Sequence, residues 1–471
     1  MAKSSSSKSG VFWKADWFAG VAIVVAVIVL NIATDFIGTL ERRYYDFAST
    51  TTSRLPSDRI AVIAIDDQSI ANLGRWPWSR DIHAKLIDKL AAAKAKTIVH
   101  TVFFSEPQVD PGLVFIRKMK AALGTTAEGA PSNEQLSTLI AEAETALDTD
   151  AVLATSVKNA GNVLLPSLFV WGEQQGKPDQ ALPDFALKNA VDDPTGFSVQ
   201  AVRATEPIET LGSVSAGVGH LNQIVEPDGG VRREPLLVNY FGKAIPSMSL
   251  LAAAKSLNLS ASDVRLNAGQ SVQIGKLTIR TNENATMYPQ FYKSRDGKPA
   301  FAVDSFYDVL TGKIPASKYA GKIVIVGATA LGVGVSFPVP GYAGLSPAET
   351  IAHITSSILN EHFIVQPSWG ILASSGLFLF IAAYVIFALP RLSAGLAATA
   401  TALLFVGLLA LEFGLLSISA TWLELVLPAT LLVLGHLALT TKRFLVTEAG
   451  KVQADEESAE TNRMMGLALQ G

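Results

Sequence analysis

The sequence predicts an α/β extracytoplasmic domain with a mainly parallel sheet, joined to a helical membrane unit of four spans, one before the domain and three after it. Three observations lead there. Four apolar runs, at 17–37, 370–389, 394–416 and 422–440, approach the roughly 20 residues a helix needs to cross a hydrocarbon core. The 38–366 stretch between the first two runs is polar enough to fold in water. Within it, apolar runs suited to buried strands alternate with segments of helical spacing, the pattern of a parallel sheet covered by helices.

Composition narrows the classes further. Hydrophobic residues make up 49% of the 471-residue chain, and membrane spans account for the excess. The net charge of −3 leaves no basic footprint for nucleic acid. Cysteine is absent, which removes disulfides, thiolate zinc sites and cysteine nucleophiles. The domain therefore rests on its core.

The first run, 17–37, follows Lys3, Lys8 and Lys14, so residues 1–16 are expected to be a cytoplasmic tail. The run is long for a secretory signal and lacks a small-residue cleavage site, so it reads as an uncleaved anchor. Pro390-Arg391 and Thr440-Thr441-Lys442-Arg443 fit cytoplasmic turns, so both termini are expected in the cytoplasm. Glu412 and Glu424 fall near the outer ends of their runs, where a carboxylate reaches water, and His436 is expected to bond within the bundle. Residues 441–471 read as a juxtamembrane helix. Leu445, Val452 and Ala459 recur every seven residues, a spacing that suits either a coiled coil in a homo-oligomer or a solvated helix.

In the domain, Arg59-Ile60-Ala-Val-Ile-Ala-Ile65 is a strand buried on both faces. It ends in Asp66-Asp67-Gln68-Ser69, followed by Gly74-Arg75-Trp76-Pro77-Trp78. Ser79 is placed to cap a helix with Ile82, Leu86, Ile87 and Leu90 on one face. Residues 96–104 and 321–326 are further strands, 347–359 a helix, and 252–256 and 305–310 shorter helices. The Ala- and Glu-rich stretch 109–153 reads as a helical excursion, with helical spacing over 134–147 and a flexible tip around Gly129. Asp228-Gly-Gly is a turn between strands. Gly327 to Gly334 carries no lysine at the phosphate-loop position, so it is a glycine turn.

Several of these blocks carry a resemblance. Ile63-Ala-Ile-Asp-Asp-Gln-Ser69, Gly74 to Arg80, Phe104-Ser-Glu-Pro107, Asp228 to Arg233, Pro246 to Leu250 and Lys322 to Thr329 resemble the second type of CHASE domain. That is a sensory extracellular module associated with cyclases and histidine kinases. The resemblance covers about residues 36–366 and implies a sensor followed by three spans. It departs at three polar positions: Thr101 stands where many members carry aspartate, Val335 or Ser336 where they carry an acid, and Ile351 where they carry histidine, with His353 two residues on. The chain is most similar to a subgroup fused to serine/threonine protein kinases, and 457–471 resembles the segment leading into that subgroup's kinase. The resemblance thus implies an output module beyond Gly471.

Ligands in open α/β sheets bind beyond the carboxyl ends of the strands. Asp66, Asp67, Ser69, Ser105 and Glu106 are expected there, with Arg80 and His83 at the start of the next helix and Trp76 and Trp78 beside them. The carboxylates suit a cation or a ligand amine, and the indoles suit stacking. The structural alternative has Asp67 and Ser69 capping a turn, Arg80 pairing with Asp66 or Asp67, and the tryptophans plugging the sheet edge. His220 is a ligand contact or a structural histidine, and Arg232 or Arg233 is expected to turn toward a carboxylate. Hydrolase and kinase motifs are absent from the sequence, so the chain is expected to bind and transmit without catalysis, with no cofactor. Its expected partners are membrane lipid and an extracytoplasmic ligand or protein. Two other classes stay open: a membrane scaffold whose domain binds a protein, and a hydrolase using Asp66 and Asp67.

Overall fold

A computed structural model describes residues 15–124, 134–295 and 297–468. Lys3, Lys8, Lys14 and Gly129 lie outside them. The chain divides into two compact units, Ser49–Val365 and a second made of Met1–Ala48 with Gln366–Gly471.

The first unit is built on a mixed, mainly parallel sheet. Its parallel part runs Val303–Ser305, Ile60–Ile65, Ile323–Ala328, Thr97–His100 and Val163–Trp171 in spatial order. The register sets Ile63 against Val326 and Val324 against Ile98. Val163–Trp171 then divides its far edge. Leu164 to Ser167 pair in parallel with Gly217–His220, and Leu168 to Trp171 pair antiparallel with Val199–Thr205. The unbroken apolar run at Ile60–Ile65 follows from burial on both faces. Ala61, Ile63 and Ile65 enter one core with helices Arg80–Ala92 and Thr149–Ala160. Ile60 and Val62 enter the other with Met248–Ser256 and Pro347–Leu359. A pleat alternates side chains between faces, so a strand covered twice has no position left for a polar residue.

The predicted helices at 134–147 and 347–359 match Glu134–Leu147 and Pro347–Leu359. The second is started by a capping box in which the Ser346 hydroxyl accepts from Glu349 N and the Glu349 carboxylate reaches back to Ser346 N at 3.2 Å. The strand expected over 96–104 is shorter, Thr97–His100. It stops where the His100 Nδ1 accepts Val102 N at 3.2 Å, turning the chain out of the ladder. Asp228-Gly-Gly is the turn between Ile224–Val225 and Val231–Pro235, and Gly229 takes φ +81°, a conformation that a side chain disfavours. Gly327 has a different reason to be glycine. A Cβ there would collide with the Thr101 hydroxyl and the Ala348 methyl.

The second unit holds four long apolar helices, Asp16–Ala33, Gly370–Arg391, Ala394–Ser419 and the apolar part of Val426–Ala468. The first ends at Ala33, short of the expected 37. Thr34 is extended, and Asp35 starts a new, charged helix, Phe36–Thr50, by pairing with Arg42. The second loosens into a π-helical turn at Tyr384–Ala388 before Pro390. There Val385 packs on Gly435, where a Cβ would meet it at 2.8 Å. Polar residues inside the bundle are linked, as lipid requires. The Tyr384 hydroxyl meets Thr401 Oγ1 at 3.1 Å, which meets His436 Nδ1 at 3.1 Å. Glu412 departs from the interfacial placement expected of it. It is 0% exposed and lies beside Glu41, whose carboxylate accepts from Trp422 Nε1 and Val426 N at 3.0 Å each.

Candidate sensory site

The carboxyl edge of the parallel sheet assembles most of the sequence candidates, and most of them find a partner within the protein. Asp66 leaves its strand as the N-cap of helix Asp67–Leu73. Its Oδ1 accepts from Ser69 N at 2.8 Å, Ser69 Oγ at 2.5 Å and Ser305 Oγ at 2.9 Å. Ser69 Oγ in turn accepts from Tyr307 N at 3.0 Å. One carboxylate thus fastens two adjacent parallel strands and the helices that leave them. Asp67 reaches across to Leu331, whose N–H donates to Oδ1 at 3.2 Å.

Trp78 lies over the same edge with 3% of its surface exposed. Its indole N–H donates to the Gly74 carbonyl at 2.9 Å, and its ring stands 4.9 Å from Phe306 and 5.1 Å from the half-buried Trp76. His83 lies under both indoles, at 6.0 Å from Trp78 and 5.9 Å from Trp76. It meets His100 at 3.2 Å. Burial, followed by the neighbouring His100 and the Arg80 charge, holds His83 well below the usual imidazole range. Burial and Arg80 bring His100 down to about 3. Burial thus favours the neutral form of both rings, which pack inside aromatic surroundings.

Arg80 makes no ion pair with Asp66 or Asp67. Its Nε donates to Asp150 Oδ1 at 3.2 Å, its Nη2 donates to the Glu106 carbonyl at 3.0 Å, and its guanidinium sits 4.4 Å over the Phe104 ring. Asp150 Oδ2 also accepts Gln108 N at 2.8 Å. The pair is largely shielded, at 11% exposure for each side chain. Glu106 contributes its backbone, and its side chain is exposed. Ser79 occupies the N-cap position without a cap hydrogen bond. The first N–H of the helix, Arg80 N, donates instead to Gln108 Oε1 at 2.9 Å.

The three departures from the usual polar pattern fit this picture. Thr101 Oγ1 donates to the Val326 carbonyl at 3.1 Å, Val335 is 63% exposed and Ile351 is 5% exposed. His353 is buried and accepts Tyr292 N at 3.0 Å.

A second polar cluster lies inside the domain around a void of about 10 Å³ lined by His220, Gln223, Glu234, Ser249 and Thr350, space for about one water. Glu234 is 5% exposed, and burial pushes its carboxyl up to about 8. His220 is 1% exposed, and burial brings it to about 3. Its ring lies near the Pro235 carbonyl without reaching hydrogen-bond geometry. Arg232 turns inward as expected, binding Glu226 at 2.8 Å and Asp228 at 2.8 Å. Asp150, His100 and Glu234 escaped the sequence reading. Asp150 lies 70 positions from Arg80, and no local pattern marks any of the three. Among the described residues no group of three or more His, Asp or Glu side chains is placed to hold a metal ion.

Four long apolar helices, one before the α/β domain in the chain and three after it, define a multi-pass membrane protein. The chain matches the family described as CHASE2 domain over residues 21–390, and it belongs to that family. The match extends beyond the soluble domain into the first apolar helix and through the second. No curated protein and no solved structure matches the chain. Membership makes the chain a membrane-bound sensory protein in signalling, with a sensor module that is itself non-catalytic.

Proposed function

We propose that the chain is the sensing and transmitting part of a bacterial transmembrane receptor whose output is a serine/threonine protein kinase. The observation that carries this reading is the continuity of the helix Val426–Ala468, 43 residues without a break. It begins as an apolar span and continues into the charged stretch around Lys451, Glu456, Glu457 and Glu460. A rigid helix of this kind passes a shift or rotation of the membrane unit onward, where a flexible tether would dissipate it. On the input side only residues 365–369 separate the strand Phe363–Ile364 from the helix Gly370–Ala383. The kinase output is supported by the resemblance of 457–471 to the lead-in of the kinase-fused subgroup. Both termini are then cytoplasmic. The exposed Leu445 and Val452 offer a seam for a homo-oligomer. A ligand acts on such a device only through different affinity for two states.

The test uses the receptor with its native cytoplasmic continuation in liposomes. A Gly-Ser-Gly-Ser insertion between Val365 and Gln366 is expected to bring serine/threonine autophosphorylation to the rate of a receptor lacking residues 49–365, and away from the intact rate. Equal rates in all three would contradict transmission through this joint.

The scaffold reading retains one supporting observation. The helices Pro111–Gly124 and Glu134–Leu147 expose Val114, Phe115, Met119 and Leu139 at 41–64%, an apolar face suited to a protein partner.

A further inference from the structure

At the sheet edge Asp66 and Asp67 are engaged by neighbouring groups, whereas Glu206 of the same domain is not. Glu206 follows the strand Val199–Thr205. Both of its carboxylate oxygens are shut off from solvent and have no hydrogen-bond partner, and no Lys or Arg forms an ion pair with it among the described residues. It lines a cavity of about 390 Å³ together with Ser105, Leu182, Phe185, Glu209 and Tyr240. The walls are fixed. Ile208 N donates to the Phe104 carbonyl at 2.8 Å, and Tyr240 Oη donates to the Gln180 carbonyl at 2.7 Å. The Phe185 ring lies so close to Gly212 that a Cβ there would meet it at 2.5 Å.

We propose that this cavity binds a small organic cation, a primary ammonium or guanidinium group on a short apolar chain, with Glu206 as its counter-charge. Three features select that chemistry. An unpaired carboxylate in a shielded place is costly, and a cation is the group that relieves it. Phe185 and Tyr240 give an aromatic wall for the rest of the ligand and for the cation itself. A volume of about 390 Å³ suits an organic molecule, whereas one carboxylate is too few ligands for a bare metal ion. The titratable neighbours add no positive charge. Glu209 lines the cavity, and Asp179 and Glu206 act together to raise Tyr240 after burial does so. Burial alone pushes Glu206 up to about 7, so the site charges, and its cation affinity rises, as pH climbs through neutrality. For its biological meaning the site rests on the sensory reading, but its occupancy does not depend on kinase output.

The test is calorimetric titration of the full chain in nanodiscs with putrescine, agmatine and butylammonium, and with butyrate as the anionic control. At pH 8 at least one of the three cations is expected to bind saturably at one site per chain, and butyrate is not. Glu206→Gln is expected to weaken that binding about tenfold or more, and so is lowering the pH to 5.5. Ala204→Phe, which fills the cavity, is expected to abolish it. Thermal unfolding without amine checks folding, and Glu206→Gln is expected to unfold no earlier than wild type. Absence of saturable binding by all three cations at pH 8, or equal affinity in Glu206→Gln, overturns the proposal. Cation binding with an autophosphorylation rate indifferent to the linker insertion overturns the receptor reading and leaves the site standing.

Discussion

Two regions of the extracytoplasmic domain hold buried ionisable groups and treat them in opposite ways. At the carboxyl edge of the sheet the buried groups are matched. Asp66 binds Ser69 and Ser305, Arg80 binds Asp150, and His83 meets His100. In the interior, Glu206 and Glu234 line two separate cavities without a counter-charge, Glu206 with no hydrogen-bond partner and Glu234 beside Ser247 and Ser249. The difference supports a structural role for the matched groups at the edge of the parallel sheet, the usual place for a ligand, and the proposal of Glu206 as the receptive group. Pairing a group inside the protein stabilises the fold, and an unpaired group keeps an interaction in reserve for something else.

The largest effect that could break this contrast is expected from the plug. Trp78→Ala should destabilise the domain by about 3–5 kcal/mol, the usual cost of removing a large buried aromatic, as followed by chemical unfolding of the full chain. A loss below about 1 kcal/mol would mean that the edge is not packed as described. Next comes the matched ion pair. Arg80→Ala leaves Asp150 without its cation in a shielded place and should cost about 3 kcal/mol. The double variant Arg80→Met with Asp150→Leu should recover most of it. A double variant as unstable as the single one would contradict the pairing.

Two of these groups, His100 and Glu234, should respond to pH with opposite sign. His100 is held at about 3 against its ordinary 6.5, so below pH 6.5 the unfolded chain takes up protons that the folded one refuses, and stability falls as the medium is acidified toward 3. Glu234 is raised to about 8 against its ordinary 4.5. The folded chain then keeps a proton that the unfolded one has released, and stability falls as pH rises from 4.5 to about 8. Glu234→Gln should therefore raise the unfolding temperature relative to wild type by an amount that grows across that window and levels off above it. A pH-independent difference would count against a buried Glu234 without a counter-charge. The smallest effect is expected at Asp67, whose one described bond is to Leu331 N. Asp67→Ala should cost less than about 1 kcal/mol.

The parts of the fold that sequence revealed are those whose burial is written in consecutive residues. Ile60 to Ile65 reads as a strand covered twice, and Ile82, Leu86, Ile87 and Leu90 mark a helix face of which the structure buries the last three fully and Ile82 in part. The antiparallel extension was not visible, because its strands are as short as Val191–Asp192 and carry no periodicity. The edge residues gather at the carboxyl end of the sheet because a chain leaving a parallel strand has one place to go. Their partners were hidden, since Asp150 sits in an Ala-rich excursion whose register with Arg80 is set by helix packing. Glu206 was hidden for a different reason. A glutamate before a proline reads as a solvated loop, and only the surrounding walls from Leu182, Phe185 and Tyr240 remove its water. Glu412 was read as interfacial because it lies near the end of an apolar run, yet helix packing in the membrane unit buries it fully.

The most direct measurement sets the two regions side by side: titration of the full chain in nanodiscs at pH 8 with putrescine, agmatine and butylammonium, in wild type, Glu206→Gln and Asp67→Asn. For whichever of these cations wild type binds, affinity should fall about tenfold or more in Glu206→Gln and stay within about twofold of wild type in Asp67→Asn. Loss of binding in Asp67→Asn with full retention in Glu206→Gln would put the receptive site at the sheet edge and contradict the account.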